Sequence, residues 1–280
     1  MLQHVRRLYR AEKAGHTGSL DPLATGLLPV CFGQATKLCG VLLDADKRYV
    51  VRARLGEKTD TGDADGQVIA RSDPSAITRE AVLAALPALT GEILQRPPMY
   101  SALKKDGERL YEIARRGESV ERAARPQTIF SLELTEFSPG FMGLDVRCSK
   151  GTYIRSLVED LAEALGQCAH VTVLRRLESG PFRSGAMHTP ARLEQAASVD
   201  LNSLDALLLP MLEGLAGWRQ VPVGAEQARQ LFHGQSVALD RAAAPGPVAV
   251  LGPQGKLLGL GEVDAAGGVL KPRTWMASGP

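Results

Sequence analysis

A chain of 280 residues, 44% hydrophobic and 23% charged, is long enough to bury a sizeable core and to form about two domains, which excludes disordered and fibrous classes. No run reaches the ~18 apolar residues of a membrane span, and MLQHVRRLYR lacks the apolar stretch of a secretory signal, so the expectation is a cytoplasmic protein with no membrane partner. Basic and acidic residues nearly balance, 33 against 31; four cysteines with no C-x-x-C pair and no histidine at finger spacing argue against structural zinc and against a disulfide framework.

The charge is unevenly divided. Residues 1–59 carry ten basic and five acidic residues and 96–129 carry eight against five, whereas 60–95 hold two against six. Basic blocks flanking an acidic one hint at an anionic partner. With two Trp, five Tyr and six Phe the chain has few stacking platforms, so an RNA would be held by shape and phosphate contacts.

From the first residues, Leu2, Val5, Leu8 and Tyr9 recur at helical spacing with no capping residue ahead of them. The segment GHTGSLDPLATGLLPVCFGQATK, 15–37, follows neither secondary-structure period and reads as a shaped loop. Asp21 precedes Pro22, which suits a carboxylate held on a turn and equally a helix cap; His16 alone fits an ordinary surface or hydrogen-bonded histidine. Residues 48–55, RYVVRARL, alternate as a half-buried strand, with Tyr49, Val51, Ala53 and Leu55 on one face and arginines on the other.

TDTGDADG, 59–66, resembles part of a calcium loop, but Ser72 falls where a bidentate Glu is required, and a carboxylate-rich turn is expected instead. Asp21 with one of Asp60, Asp63 or Asp65 would also satisfy the two-carboxylate requirement of a glycosidase. Thr78 caps a helix with a Val82, Leu83, Leu86, Leu89 stripe. Leu144, Val146 and Cys148 alternate as a second strand, after which CSKGTYIRSL enters a helix with Ile154, Leu157, Val158, Leu161 and Leu165 on one face and Gly166 closing it. Tyr153 and Arg155 fall near that helix start, where an arginine within reach of Asp21 would hold the carboxylate ionised and oriented. LRRL, 174–177, reads as strand core with two surface arginines. Strands interrupted by helices without regular βαβ alternation favour an α+β domain.

Gly214 and Gly217 mark a linker, and after Val221 the texture changes. The helical AEQARQLF is followed by PVAVL, GPQG and KLLGLGEV, a hairpin within a small β barrel. No glycine-rich nucleotide or dinucleotide fingerprint is present, so no nucleotide cofactor is expected.

Five segments in order, GHTGSLDPLATGLLPVCFGQATK, DKRYVVRARLGEKTDTGDADG, PPMYSALKKDGERLYEIAR, CSKGTYIRSLVEDL and AHVTVLRRL, resemble the tRNA pseudouridine-55 synthases, the TruB-like family, and span nearly all of residues 1–180. The part after Val221 is similar to that family's PUA-like RNA-binding domain. The resemblance implies a catalytic domain over 1–212, α+β with a mixed, largely antiparallel sheet and flanking helices, carrying a basic insertion at about 96–125, then a linker and PUA-like β barrel over 213–280. It further implies isomerisation of the T-loop uridine 55 of tRNA after base flipping, by a monomer that grips the T arm and uses neither metal nor cofactor. Asp21 would be the essential carboxylate, Tyr49 would lie against the uracil and is the candidate for the C5 proton, and Arg155 would pair with Asp21. His16, Tyr153 and Leu174 would line or wedge the site beside Tyr49. Family members begin with a strand and a Lys-Pro-x-Gly type segment ahead of the first helix seen here; its absence carries the expectation of lower stability or activity. The alternative is a non-catalytic RNA-binding or RNA-folding protein.

Overall fold

Alternation of arginine with small and aliphatic residues produces the nine-residue strand Lys47–Leu55, in a computed structural model that describes residues 1–276. Val51, Ala53 and Leu55 are buried, while Arg52 and Arg54 are exposed. This strand lies inside a seven-stranded sheet. On one side it pairs antiparallel with Ala169–Ser179, which in turn pairs with Phe182–Arg183. On the other side it pairs antiparallel with Phe141–Cys148, followed by Arg125–Ser138 and Gly91–Gln95. The remaining strand, Thr25–Gly26, joins Ala169–Ser179 in parallel, which makes the sheet mixed.

Helix Ile154–Ala164 lays its expected stripe over this sheet. Ile154, Leu157, Val158 and Leu161 share a core with Val51, Leu144, Val146 and Leu174. Each fully buried Leu or Val contributes roughly 1.5–3 kcal/mol, so the helix is fixed mainly by its apolar face. It stops at Leu165, and Gly166 takes a left-handed φ of +68°. Thr78 Oγ1 accepts from Ala81 N and caps Arg79–Ala85 as expected. Val82 and Leu86 are buried there, but Leu83 is exposed, because it lies one residue round from the stripe that Val82, Leu86 and Leu89 form.

The chain divides into two compact units, one of Gly18–Leu28 with Asp44–Gly185, the other of Met1–Thr17, Pro29–Leu43 and the segment from Ala186 onward. The first holds the seven-stranded sheet. The second contains helix Leu2–Leu8, the antiparallel pair Ala14–His16 and Val30–Phe32, helices Pro190–Val199 and Leu201–Asp205, and a five-stranded sheet. That sheet runs in the order Gln220–Pro222, Gly246–Leu251, Leu257–Val263, Val269–Trp275, Val237–Ala238, and helix Ala225–Phe232 packs on it. Its Gly246–Leu251 and Leu257–Val263 strands are the hairpin expected from the PVAVL and KLLGLGEV runs. Val221, Leu231, Val248, Val250 and Leu270 form the core. All four cysteines are free, Cys31 and Cys148 in buried positions. Among the described residues no helix is long and apolar enough to cross a membrane.

Candidate active site

The loop 18–28 has no helical or strand period of its own, so other parts of the sheet unit must hold it. Arg155, in the first turn of helix Ile154–Ala164, supplies the side-chain link to its carboxylate. Its Nε donates to Asp21 Oδ2 at 2.9 Å and its Nη2 to Asp21 Oδ1 at 3.1 Å, the two-pronged geometry in which a guanidinium both orients and neutralises a carboxylate. The remaining donors reach Thr61 O at 2.7 Å and Tyr100 O at 2.8 Å. Asp63 Oδ2 stands 3.6 Å from Nη1. A cation at the positive end of a helix is unfavourable, and two carboxylates and two carbonyls offset that here. The Arg155 side chain is 4% exposed and that of Asp21 35%, so the acid is open to a ligand while its partner is not.

The expected carboxylate-rich turn is also present. Thr59 Oγ1 donates to Asp63 O and Thr61 Oγ1 to Asp63 Oδ1, which buries Asp63 beneath the turn. Asp60 instead accepts from Gln67 N. A side chain at Gly66 would come within 2.3 Å of Thr61 Oγ1, so the turn closes only over glycine. Asp21 and Asp63 therefore flank one guanidinium rather than facing each other across an open sugar site.

Tyr49 and Tyr153 belong to the same neighbourhood. Burial raises both phenols above the ordinary tyrosine value, and the Asp21 charge pushes each further; Arg176 pulls Tyr49 back down. Both are therefore neutral O–H groups at physiological pH. Buried Gln95 clamps the backbone of Tyr153, accepting from its N–H at 2.7 Å and donating to its carbonyl at 3.0 Å. Leu174 is buried opposite Val51 in the sheet. His16 ends the short strand Ala14–His16 in the other unit, paired with Val30.

Reading 174–177 as core with two surface arginines fails at Arg176, which is 1% exposed. Leu174 and Arg176 lie two apart in one strand and so share its inner face, a signal that was available in the sequence. Arg176, Asp63 and Gln95 are the site residues that sequence reasoning did not single out.

The basic insertion carries a two-residue ladder, Lys104–Lys105 with Glu108–Arg109, and helix Leu110–Arg115. Arg116 pairs with Glu108 and Glu118, and the Arg109 and Arg115 guanidinia stand 5.8 and 5.3 Å from the Tyr111 ring centre.

The same fold occurs in solved assemblies. A Cbf5-Nop10-Gar1 complex superposes with a TM-score of 0.75 at 24% identity, covering 98% of this chain and 79% of that one. An H/ACA RNP bound to a substrate RNA containing 2'-deoxyuridine gives 0.74 at 22%, with the same coverage. At these identities the likeness is one of fold. Sequence matches supply the class, that of the pseudouridylate synthases: residues 6–154 match the TruB family pseudouridylate synthase N-terminal domain, 155–216 the tRNA pseudouridylate synthase B C-terminal domain, and 220–275 the pseudouridine synthase II TruB C-terminal domain. The chain belongs to the TruB family. Among curated relatives, a tRNA pseudouridine synthase B of Chromohalobacter salexigens is 54% identical over 241 residues, which are 86% of this chain and 78% of the relative. One of Stutzerimonas stutzeri is 49% identical over 275 residues, 97% and 89% respectively.

Proposed function

We propose that this chain is an isomerase converting uridine 55 in the T loop of tRNA to pseudouridine, with Asp21 as its essential carboxylate. The observation that carries the reading is the two-pronged Asp21–Arg155 pair, formed by two of the ordered family segments that lie 134 residues apart. The reaction breaks the N-glycosidic bond at N1 and forms a C–C bond from the same sugar carbon to C5; the C5 proton leaves and N1 gains one, so the change is redox-neutral. Because the target base is stacked within the T arm, it must first be flipped out, at a cost of a few kcal/mol.

His16 is the proposed wedge, and Tyr153 and Leu174 line the site. Tyr49 lies against the uracil and is the proposed acceptor of the C5 proton. A neutral phenol can take this proton only by releasing its own, which the overall balance delivers to N1, and Arg176, which draws its pKa down, eases that release. Asp21, oriented by the arginine fork, acts at the reacting centre in a site from which the flipped base excludes water. Residues 1–212 form the catalytic part, with 96–125 gripping the T arm, and 213–280 add a PUA-like RNA-binding module; the protein works as a cytoplasmic monomer.

The test is tritium release from tRNA labelled at uridine C5, with the modified position mapped. Release confined to the T loop is expected. Tight tRNA binding without release would instead favour the non-catalytic RNA-binding role.

A further inference from the structure

One guanidinium, on a different element from the helix that supplies Arg155, contacts the backbone on both sides of Asp21. Arg176 is buried in strand Ala169–Ser179. Its Nη2 donates to Gly18 O at 3.1 Å, its Nη1 to Ser19 O at 3.4 Å and its Nε to Leu27 O at 2.7 Å. The first two carbonyls lie just ahead of Asp21 and the third six residues beyond it, so the loop is pinned at both ends by one rigid planar group. The backbone reinforces this: Leu27 N donates to Arg176 O at 2.9 Å, and Thr25–Gly26 pairs in parallel with Arg175 and Arg176. The approach is close enough that a side chain at Gly26, whose φ is +96°, would sit 2.3 Å from Arg176 O. On its other flank Arg176 stands opposite Tyr49 in the sheet register.

A buried arginine ordinarily needs a carboxylate. Among the described residues Arg176 makes no ion pair; three main-chain carbonyls accept from it instead, and it also interacts with the Tyr49 phenol. Its five N–H groups sit on three separate nitrogens in a fixed planar fork and so reach carbonyls at both ends of the loop, whereas the three donors of an ammonium radiate from one atom. The site thus contains two arginines at different levels: Arg155 grips the carboxylate, and Arg176 grips the chain that presents it.

We propose that Arg176 is a positioning residue for the isomerisation, fixing the Asp21 loop against the strand that carries Tyr49. This rests on the reading of the chain as a uridine isomerase. A displacement of about 1 Å at a reacting group can lower a rate by roughly a hundredfold, so the effect should fall on kcat.

The experiment compares Arg176→Lys and Arg176→Ala with the unaltered chain. Arg176→Lys is expected to remain folded, to keep its KM for tRNA within about threefold and to lose about tenfold or more in kcat. Arg176→Ala should lose about a hundredfold, and millimolar ethylguanidinium should restore at least about fivefold of it. Amide hydrogen exchange supplies a readout that needs no activity: in both variants amides of residues 18–27 should exchange faster while those of helix Ile154–Ala164 stay protected. Full kcat in a folded Arg176→Lys would overturn the proposal. So would faster exchange spread evenly over sheet and helix without chemical rescue, since that marks a purely structural role. If the unaltered chain releases no tritium, the isomerase reading fails, and the exchange measurement still decides whether Arg176 positions the loop.

Discussion

The two sheets treat buried polarity in opposite ways. The seven-stranded sheet unit encloses Lys47, Asp63, Gln95, Arg155, His170 and Arg176, whereas among the described residues from Ala186 onward no polar or charged side chain is buried. The five-stranded sheet closes on Val221, Leu231, Val248, Val250 and Leu270, an arrangement that hydrophobic burial alone stabilises. Burying a charge costs several kcal/mol before any partner is found, so its concentration in one unit marks where the fold gives up stability for chemistry.

That contrast can be broken by substitution. The largest effect is expected of Asp21→Asn, which keeps the size of the side chain but removes the charge that Arg155 orients: turnover should fall by at least about a thousandfold with tRNA affinity within about threefold, measured by tritium release and filter binding. Appreciable residual isomerisation would refute the role given to Asp21. Next, Arg155→Ala leaves Asp63 buried without its cation and should lower stability by about 3–5 kcal/mol in urea titration; a loss below about 1 kcal/mol would show that the ion cluster is not a structural element.

Leu270→Ala, in the five-stranded sheet, should cost about 2–4 kcal/mol through its cavity yet leave kcat at saturating tRNA unchanged. A fall in kcat comparable to that from the site variants would erase the distinction between the sheets.

The smallest effect concerns Lys47, whose ammonium is pushed down to about 8, by burial first and by the Arg176 charge second. The folded chain holds this proton less tightly than the unfolded one. Its contribution is therefore full above the ordinary lysine range and is lost as pH falls through about 8. Lys47→Met should flatten the stability profile from about pH 8 upward; equal slopes in the two proteins would count against a desolvated lysine.

Much of this was legible in the sequence where one local rule governs. The 47–55 strand, the Thr78 cap and the Gly166 stop follow from alternation, capping and left-handed backbone, whereas the Asp21–Arg155 pair, 134 residues apart, was expected from the family resemblance. What escaped depends on distant partners. Asp60, Asp63 and Asp65 are equivalent by composition, and only the Thr59 and Thr61 hydroxyls select Asp63 for burial. Arg176 escaped because arginine is rarely buried, so its shared face with Leu174 was outweighed; the carbonyls that accept it belong to a loop some 150 residues earlier.

The two-residue parallel pairing of Thr25–Gly26 with Arg175 and Arg176 therefore bears on the timing of biosynthesis. The segment bearing the acid leaves the ribosome early, yet the strand that fastens it emerges only after most of the seven-stranded sheet has been translated. Until then the nascent chain can grip the carboxylate through Arg155 but cannot pin the backbone that presents it, and competence should arise late, together with closure of this long-range loop.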